Sequence, residues 1–235
     1  MKSLVIAHRT CPRNAPENSL AGIAKANELG ADVVEIDVRR TSNGQPMLLH
    51  DLWLLRTALR PLRLDWVTEQ RAKQMRLRGG GTIPTLGEAL ATLGSDMKVA
   101  IDVKDGGAAD AVISEVRNQG LEGRTLFWSQ HEPAVHTAVA TAPELEISLL
   151  RDTKTAAELD RFLTHTIEFG ARGISAHWSQ VTTELAERCS EAGIHLYAWC
   201  KKESIDAAKL ALLDGVVTDW PRTARALVDD DSTND

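Results

Sequence analysis

The chain has 235 residues, of which 43% are hydrophobic and 26% are charged, and this composition argues against a disordered, fibrous or membrane class. The formal net charge is -6, but four acidic residues lie in the last seven positions, so the remaining sequence is nearly neutral and has no broad nucleic-acid footprint. Three cysteines without a CxxC pair argue against a disulfide framework and fit a reducing compartment.

The amino-terminal segment is the first feature in chain order. Only four apolar residues, Leu4 to Ala7, precede His8, and this run is too short for a signal-peptide core or a membrane span. We therefore expect a cytoplasmic protein that has no nucleic-acid partner and no stable membrane insertion.

Short apolar runs then alternate with segments of helical periodicity. The runs predict eight strands, at 4–8, 33–38, 99–103, 125–129, 146–149, 173–176, 195–199 and 215–218. Apolar residues at helical spacing predict helices at 17–29, 86–93, 108–118, 156–168, 183–192 and 203–213. Strands that alternate with helices indicate right-handed crossovers and a parallel sheet. Because eight such units recur, we predict a closed (β/α)8 TIM barrel, with an open doubly wound sheet as the alternative.

The second predicted strand is followed by a signal for a tight hairpin. Asn43-Gly44 suits a type I′ turn, in which both central residues take a positive φ. If these two residues form the turn, antiparallel pairing places Asp37 opposite His50. The expected hairpin therefore brings a carboxylate and an imidazole together.

The stretch 51–84 fits none of the strand and helix units, and we interpret it as a small inserted subdomain over one mouth of the barrel. Between positions 56 and 78 it holds seven basic residues and two acidic ones. We expect Trp53 and Trp66 to form its small core and the basic side chains to lie in solvent. The predicted organisation is a barrel over 1–228 that contains this insertion, followed by a disordered acidic tail over 229–235.

Two predicted strands carry charged residues at alternating positions. Glu35 and Asp37 point to the same side of one strand, and Asp102 and Lys104 point to the same side of another. Burying such carboxylates without a counter-charge costs several kcal/mol for each of them. Either these groups stay in water or in internal ion pairs at the strand ends, or one cation joins them. Oxygen ligands of this kind suit Mg²⁺ or Ca²⁺.

Two histidines flank the predicted carboxylate cluster. His8 ends the first strand and His50 lies beside Asp37 in the expected hairpin, so both belong to the carboxyl-terminal mouth where barrel enzymes hold their active sites. Two imidazoles that titrate near neutral pH can supply an acid and a base. These residues therefore predict acid–base chemistry at the mouth.

Several separate motifs follow one another over nearly the whole chain. They are His8-Arg9, Pro16-Glu17-Asn18-Ser19, Gly30-Ala31-Asp32, Glu35-x-Asp37, Asn43-Gly44, His50-Asp51, Ile83-Pro84-Thr85-Leu86, Asp102-x-Lys104, Trp199 and Thr218-Asp219-x-Pro221. This series resembles the glycerophosphodiester phosphodiesterase family from residue 5 to about residue 225. The resemblance implies a barrel with a small inserted subdomain. The chain departs from the family at two positions, because Thr10 stands where glycine is typical and Asp102 stands where glutamate is more usual.

The resemblance also implies an activity, the hydrolysis of glycerophosphodiesters to sn-glycerol 3-phosphate and an alcohol with one divalent cation, Mg²⁺ or Ca²⁺. It suggests that the glycerol 2-hydroxyl attacks first and gives a cyclic phosphate that water then opens. The expected partner is a small-molecule glycerophosphodiester. The implied roles are an acid–base pair formed by His8 and His50, phosphate contacts from Arg9 and Lys104, a pocket wall formed by Trp199, and cation ligands from Glu35, Asp37 and Asp102.

Two other functions fit the same residues. A lysophospholipase D-like enzyme would act on membrane lipids and would need an exposed apolar rim on the insertion, for which the sequence offers Leu52, Trp53, Leu54 and Leu55. A non-catalytic barrel would bind a phosphodiester without cleaving it. Such a barrel would not need both histidines, so their joint presence favours an enzyme.

Overall fold

A closed barrel of parallel strands is the framework of the molecule. In the computed structural model, which describes residues 2–153 and 155–231, the strands are β1 (Leu4–Ala7), β2 (Val33–Arg40), β3 (Pro46–Leu48), β4 (Lys98–Val103), β5 (Thr125–Ser129), β6 (Glu146–Leu150), β7 (Gly173–His177), β8 (His195–Cys200) and β9 (Gly215–Thr218). All except β3 are parallel neighbours, and the barrel closes because β1 pairs with both β2 and β9. The predicted (β/α)8 TIM barrel is confirmed, and the open-sheet alternative is wrong.

Helices follow the strands along the chain, and most of them cover the outer face of the barrel. They are α1 (Leu20–Glu28), α2 (Leu55–Ala58), α3 (Glu69–Lys73), α4 (Leu86–Ala91), α5 (Ala109–Asn118), α6 (Glu132–Thr141), α7 (Ala156–Glu168), α8 (Thr183–Glu191), α9 (Ala207–Leu210) and α10 (Pro221–Asp231). The helix predicted at 17–29 begins only at residue 20, because the Ser19 side chain accepts the Gly22 N–H and caps it. Within the described ranges, no helix is both long enough and apolar enough to cross a membrane.

The last helix changes the predicted tail. α10 continues through Asp231, and Asp229 accepts a 2.5 Å hydrogen bond from Lys2 Nζ. Positions 229–231 are therefore helical, which corrects the expectation of disorder there. Ion pairs of Asp229 with Lys2 and Arg225 offset the repulsion among the neighbouring acidic residues. The rest of the predicted tail, 232–235, lies outside the described residues.

Apolar side chains fill both the barrel interior and the space between strands and helices. The interior cluster consists of Ile6, Val33, Ala100, Leu126, Trp128, Tyr197 and Val217. Their outward-facing neighbours, such as Val5, Val34 and Ile101, pack against the helices. Because successive side chains of a strand alternate between these two layers, the inward positions at the carboxyl ends of β2 and β4 are left for polar groups.

The hairpin between β2 and β3 differs from the predicted one by one residue. Gly44 takes a φ of 83°, but Asn43 has no positive φ, so the loop has three residues instead of the two of a type I′ turn. Asp37 therefore lies opposite Leu49, whose N–H donates to the Asp37 carbonyl at 2.9 Å. The expected pairing of Asp37 with His50 is therefore wrong by one residue, because His50 directly follows Leu49.

The segment between β3 and α4 forms a small core of its own, to which β3 contributes one side chain. Its buried apolar side chains are Met47, Leu49, Leu54, Ala58, Leu64, Ala72, Met75, Leu77 and Ile83. Trp53 and Trp66 are outside this core, because 48% and 58% of their surfaces are exposed. The expectation that the two tryptophans form the core is therefore wrong, and smaller leucine, methionine and alanine side chains fill the space instead.

Candidate active site

One cavity at the carboxyl ends of the barrel strands collects the predicted site residues. It has a volume of about 270 Å³, and its lining includes His8, Arg9, Glu35, Asp37, His50, Asp102, Lys104 and Trp199. The two histidines follow β1 and β3, the carboxylates lie on β2 and β4, and the tryptophan lies on β8. Side chains from five strands therefore meet at the mouth where TIM-barrel proteins place their active sites.

Three buried carboxylates from two adjacent strands lie together in this cavity. The parallel register of β2 and β4 pairs Asp37 with Asp102, and Glu35 lies two residues before Asp37 on the same face. One oxygen from each carboxylate lies within 4.8 Å of the others. No more than 6% of any of these residues is exposed. Oxygens this close can bind one cation at the usual distances of about 2.0 to 2.6 Å.

Two cationic side chains contact the carboxylate cluster. Lys104 Nζ lies 3.2 Å from Asp37 Oδ1 and donates a hydrogen bond to Asp102 Oδ2. Arg9 Nε lies 3.4 Å from Asp37 Oδ2, and the Arg9 backbone N–H donates to Glu35 Oε2 at 2.6 Å. If all three carboxylates were ionised, they would face only two cations, and the cluster would have an excess of negative charge.

Burial shifts the proton affinities of Glu35 and Asp102 in the direction that a bound cation would reverse. It raises the pKa of Glu35 well above the usual range, and the neighbouring carboxylates raise it further. Burial also raises the pKa of Asp102 to about 6, although Lys104 opposes the change. Burial opposes ionisation of Asp37 as well, but the charge of Lys104 helps to hold the pKa of Asp37 below its usual value. Among the described residues, no hydrogen-bond partner reaches the buried Asp102 Oδ1. A divalent ion would offset the repulsion and use this oxygen, so the donor set fits Mg²⁺ or Ca²⁺.

A chain of hydrogen bonds orients His50. Its Nδ1 lies 2.7 Å from Asp51 Oδ1, Arg56 Nε donates to Asp51 Oδ2 at 2.5 Å, and the Arg56 guanidinium donates twice to Glu17. Burial opposes ionisation of Asp51, but the hydrogen bonds from Arg56 and His50 hold its pKa below the usual value. An ionised carboxylate only accepts hydrogen bonds, so the imidazole carries its proton on Nδ1. Burial lowers the pKa of His50, which favours a neutral ring.

His8 has the same kind of partner. Its Nδ1 lies 2.6 Å from Asp219 Oδ1, a residue that follows β9 at the same mouth of the barrel. Burial again opposes ionisation, but the hydrogen bond from His8 holds the pKa of Asp219 below its usual range. Each of the two histidines is therefore held through Nδ1 by a carboxylate, which fixes the orientation of the ring.

The turn after β1 has a left-handed backbone without glycine. Arg9, Thr10 and Cys11 have φ values of 43°, 61° and 66°. Thr10 replaces the glycine of the resemblance, and its hydroxyl accepts the Ser19 N–H at 3.1 Å. Gly22 on α1 makes room for it, because a Cβ there would lie 2.2 Å from the Thr10 carbonyl oxygen. The turn is strained locally and held by its neighbours, as is common beside active sites.

Gly22→Ala is expected to lower the free energy of unfolding by about 1 to 3 kcal/mol, because the added methyl group overlaps the Thr10 backbone. Thermal or denaturant unfolding measures the change. Gly123→Ala is the matched control, since a Cβ there meets no atom within 4 Å, and it should not destabilise the protein. A Gly22→Ala protein as stable as wild type would contradict this close contact.

Several side chains that support the site have no role in the sequence-based prediction. Asn18 donates to Asp37 Oδ2 at 2.8 Å and accepts the Asp37 backbone N–H. Asp51 and Asp219 belong to quoted motifs, so their place in those motifs is the signal that could have identified them. No sequence signal marks several further cavity residues on β5, β6 and after β8, which include Trp128, Leu150, Arg151 and Lys201.

Known proteins are similar to this chain in sequence and in fold. The model of the "Glycerophosphoryl diester phosphodiesterase family" matches residues 8–223. A glycerophosphodiester phosphodiesterase of Caldanaerobacter subterraneus is 30% identical over 249 residues, which cover 97% of this chain and 98% of that protein. An Oleispira antarctica phosphodiesterase, solved in complex with the product sn-glycerol-3-phosphate, is 26% identical with a TM-score of 0.79 over 97% of each chain.

The glycerophosphodiester phosphodiesterase of Thermotoga maritima has a TM-score of 0.81 at 22% identity, over 97% of this chain and 99% of that one, and supports the fold. The family match spans β2 to β9, the insertion and every residue of the carboxylate and histidine cluster. On this evidence, the chain belongs to the glycerophosphoryl diester phosphodiesterase family.

Proposed function

We propose that this enzyme hydrolyses glycerophosphodiesters to sn-glycerol 3-phosphate and an alcohol, with His8 and His50 as the acid–base pair. One observation carries the proposal: two carboxylate-bound histidines share a cavity with three buried carboxylates and two cationic side chains. The product named for the Oleispira antarctica phosphodiesterase supports the same chemistry. A cytoplasmic location stays a prediction.

The cationic side chains address the charge of the substrate. A phosphodiester monoanion resists hydrolysis because its negative charge repels the nucleophile and an alkoxide leaves poorly. In the proposed mechanism, Arg9 and Lys104 contact the phosphoryl oxygens and stabilise the charge that builds there. Trp199 forms a wall of the pocket, and its ring lies 4.4 Å from the ring of His177, which limits its movement.

The two histidines handle the protons. One of them removes the proton of the nucleophile, and the other donates a proton to the departing alcohol. Their carboxylate partners, Asp219 and Asp51, stabilise each ring when it is protonated and leave Nε2 for the substrate. The first nucleophile in this proposal is the glycerol 2-hydroxyl, because attack within the substrate gains from proximity. Water then opens the cyclic phosphate.

We infer that Glu35, Asp37 and Asp102 hold one divalent cation, Mg²⁺ or Ca²⁺. The bound ion supplies positive charge close to the phosphoryl group. The close approach of three buried carboxylates, which repel one another when ionised, and the unpartnered Asp102 Oδ1 support this assignment. Asp102 is one methylene shorter than the glutamate of the resemblance, but its register beside Asp37 keeps its carboxylate within reach of the other two.

Product analysis tests the activity directly. Purified protein with Mg²⁺ or Ca²⁺ is expected to release glycerol 3-phosphate from glycerophosphocholine, glycerophosphoethanolamine or glycerophosphoglycerol, and a chelator should stop the release. A lysophospholipid assayed in parallel tests the lysophospholipase D-like alternative. Cleavage of a diester that lacks the neighbouring hydroxyl would reject cyclic attack as obligatory. No release from any diester with either ion would indicate a binding barrel and contradict the proposal.

Asp219→Asn is expected to lower kcat by about 10- to 100-fold with little change in KM, because a neutral amide cannot stabilise the protonated His8 ring. Steady-state kinetics with glycerophosphocholine measures the effect. Asp214→Asn is the matched control: Asp214 lies 3.4 Å from His195 at the opposite end of the barrel, and its loss should not change kcat. Equal kcat values for the Asp219→Asn and wild-type proteins would remove Asp219 from the mechanism.

A further inference from the structure

The insertion carries an exposed apolar surface. Of the six large hydrophobic side chains that are exposed in the described ranges, four lie between positions 53 and 66. They are Trp53, Leu55, Leu59 and Trp66, with 48%, 58%, 64% and 58% of their surfaces exposed. We call these four residues the Trp53–Trp66 surface. Single exposed leucines are common in proteins, but two tryptophans and two leucines together in one short segment indicate a binding surface.

The two tryptophans form an organised pair. Their rings meet edge to face with centroids 5.5 Å apart, and the Arg63 guanidinium lies 5.3 Å from the centroid of the Trp66 ring. Trp53 and Arg63 also form a short antiparallel bridge, which joins the chain before α2 to the chain after it. The two tryptophan rings are therefore held in place before any partner binds.

Leu59 is unfavourable for the folded chain in two respects. It has 64% of its surface in water, and its φ of 55° is a left-handed value that favours glycine at the end of a helix. No packing in the protein core accounts for a large apolar side chain at this position. A partner that covers the side chain would account for it.

Arginines without acidic partners lie in the same segment as the apolar side chains. Arg56 pairs with Glu17 and Asp51, and Arg63 pairs with Asp65. For the exposed residues Arg60, Arg76 and Arg78, no ion pair is found in the described part of the chain. Arg60 directly follows Leu59, and the Arg78 N–H donates to the Thr57 carbonyl within α2. The segment that carries the surface is therefore positively charged.

We propose that the Trp53–Trp66 surface docks this protein on an anionic lipid bilayer. Tryptophan and leucine side chains enter the interface between headgroups and acyl chains, and arginines in the same segment attract acidic headgroups. A second copy of the chain is a poorer partner, because contact of this surface with itself would bring its unpaired arginines together. The charge of the surface thus selects an acidic lipid layer.

Docking would place the active site near the lipid. α2 carries Leu55 and also Arg56, and Arg56 contacts Asp51 beside His50. The cavity mouth therefore lies close to the surface that binds the bilayer. The idea that docking brings lipid-derived diesters to the active site rests on the proposed function. Docking itself does not rest on it, because vesicle binding is measured without turnover.

Vesicle co-sedimentation tests the docking. The protein is expected to bind phosphatidylcholine vesicles that contain phosphatidylglycerol, to bind less at high salt, and not to bind phosphatidylcholine alone. Leu59→Gly should lower the partition coefficient about tenfold. It should also keep or raise Tm, since glycine suits the left-handed position. Arg60→Gln should lower partitioning about fivefold.

Ile167→Ala is the control, because Ile167 is also exposed, at 49%, but lies on α7 outside the insertion. Its partitioning should match that of the wild-type protein. Equal binding to neutral and acidic vesicles, or wild-type partitioning of Leu59→Gly, would overturn the proposal. A dimer that Leu59→Gly dissociates would assign the surface to a second copy and would overturn it as well.

Discussion

His50→Ala and His8→Ala are each expected to lower kcat by about 10²- to 10⁴-fold and to leave the fold intact. Each imidazole reaches the cavity from a loop and is bonded through Nδ1 to a carboxylate that is itself ionised. No other histidine lines this cavity in the described part of the chain, so none can replace the lost proton carrier. Release of glycerol 3-phosphate from glycerophosphocholine, measured with saturating Mg²⁺ or Ca²⁺, gives kcat.

A third histidine provides the control for this experiment. His131 follows β5 at the same end of the barrel but does not line the cavity. His131→Ala should therefore keep the wild-type kcat, and circular dichroism with thermal unfolding should show that all three variants are folded. A His50→Ala or His8→Ala enzyme with a near-normal kcat would remove that histidine from the acid–base pair.

The carboxylate cluster shows what residue spacing predicts well. Alternation along a strand is sufficient to place Glu35 and Asp37 on one face, because the side-chain period of a strand is two. The alignment of Asp37 with Asp102 is a different matter. Their strands are joined through the hairpin, the insertion and α4, and such a long connection does not determine the register of the parallel pair. Only the structure could show that these carboxylates are direct neighbours.

The hairpin shows how a local signal can fail by one residue. Asn-Gly is compatible with a two-residue loop and also with a three-residue loop in which only the glycine is left-handed. The second form occurs here, and it moves Leu49 opposite Asp37. His50 still reaches the cavity because it lies beyond the last residue of β3, where strand alternation no longer constrains its side chain.

The sequence could not predict contacts between residues that are far apart in the chain. It also could not predict which side chains are buried in irregular segments. His8 and Asp219 lie 211 positions apart, and they meet only because β9 pairs with β1 when the barrel closes. The exposure of Trp53 and Trp66 is equally hidden, since the insertion has short helices and no long periodic pattern from which a buried face could be inferred. Tertiary packing decides both.

Lys104→Met is expected to lower the free energy of unfolding of the cation-free protein by about 3 to 5 kcal/mol. Lys104 contacts two of the three buried carboxylates, and methionine preserves most of its apolar stem while removing the charge. Removal of the lysine leaves buried carboxylates without a compensating charge. The loss of stability is then larger than the net stabilisation that the ion pair itself provides. At about 2 to 4 °C for each kcal/mol in a protein of this size, Tm should fall by roughly 6 to 20 °C in the presence of a chelator.

Divalent ions should reverse much of this loss. Mg²⁺ or Ca²⁺ supplies the charge that the lysine no longer provides, so saturating ion should raise the Tm of Lys104→Met more than that of the wild-type protein. Lys25→Met is the control, because Lys25 makes an exposed ion pair with Glu28 that contributes about 1 kcal/mol or less. Equal Tm values for Lys104→Met and wild type in chelator would show that Lys104 does not compensate the cluster.

Asp102→Asn should have the opposite effects on stability to Lys104→Met. Comparison of these two variants therefore separates an effect of charge balance from general damage to the site. With one carboxylate fewer, Lys104 and Arg9 balance the two that remain, so the cation-free protein should be at least as stable as wild type. The same change removes a proposed ligand, so added Mg²⁺ or Ca²⁺ should raise its Tm little or not at all. An Asp102→Asn protein that is stabilised by either ion as strongly as wild type would place the cation elsewhere.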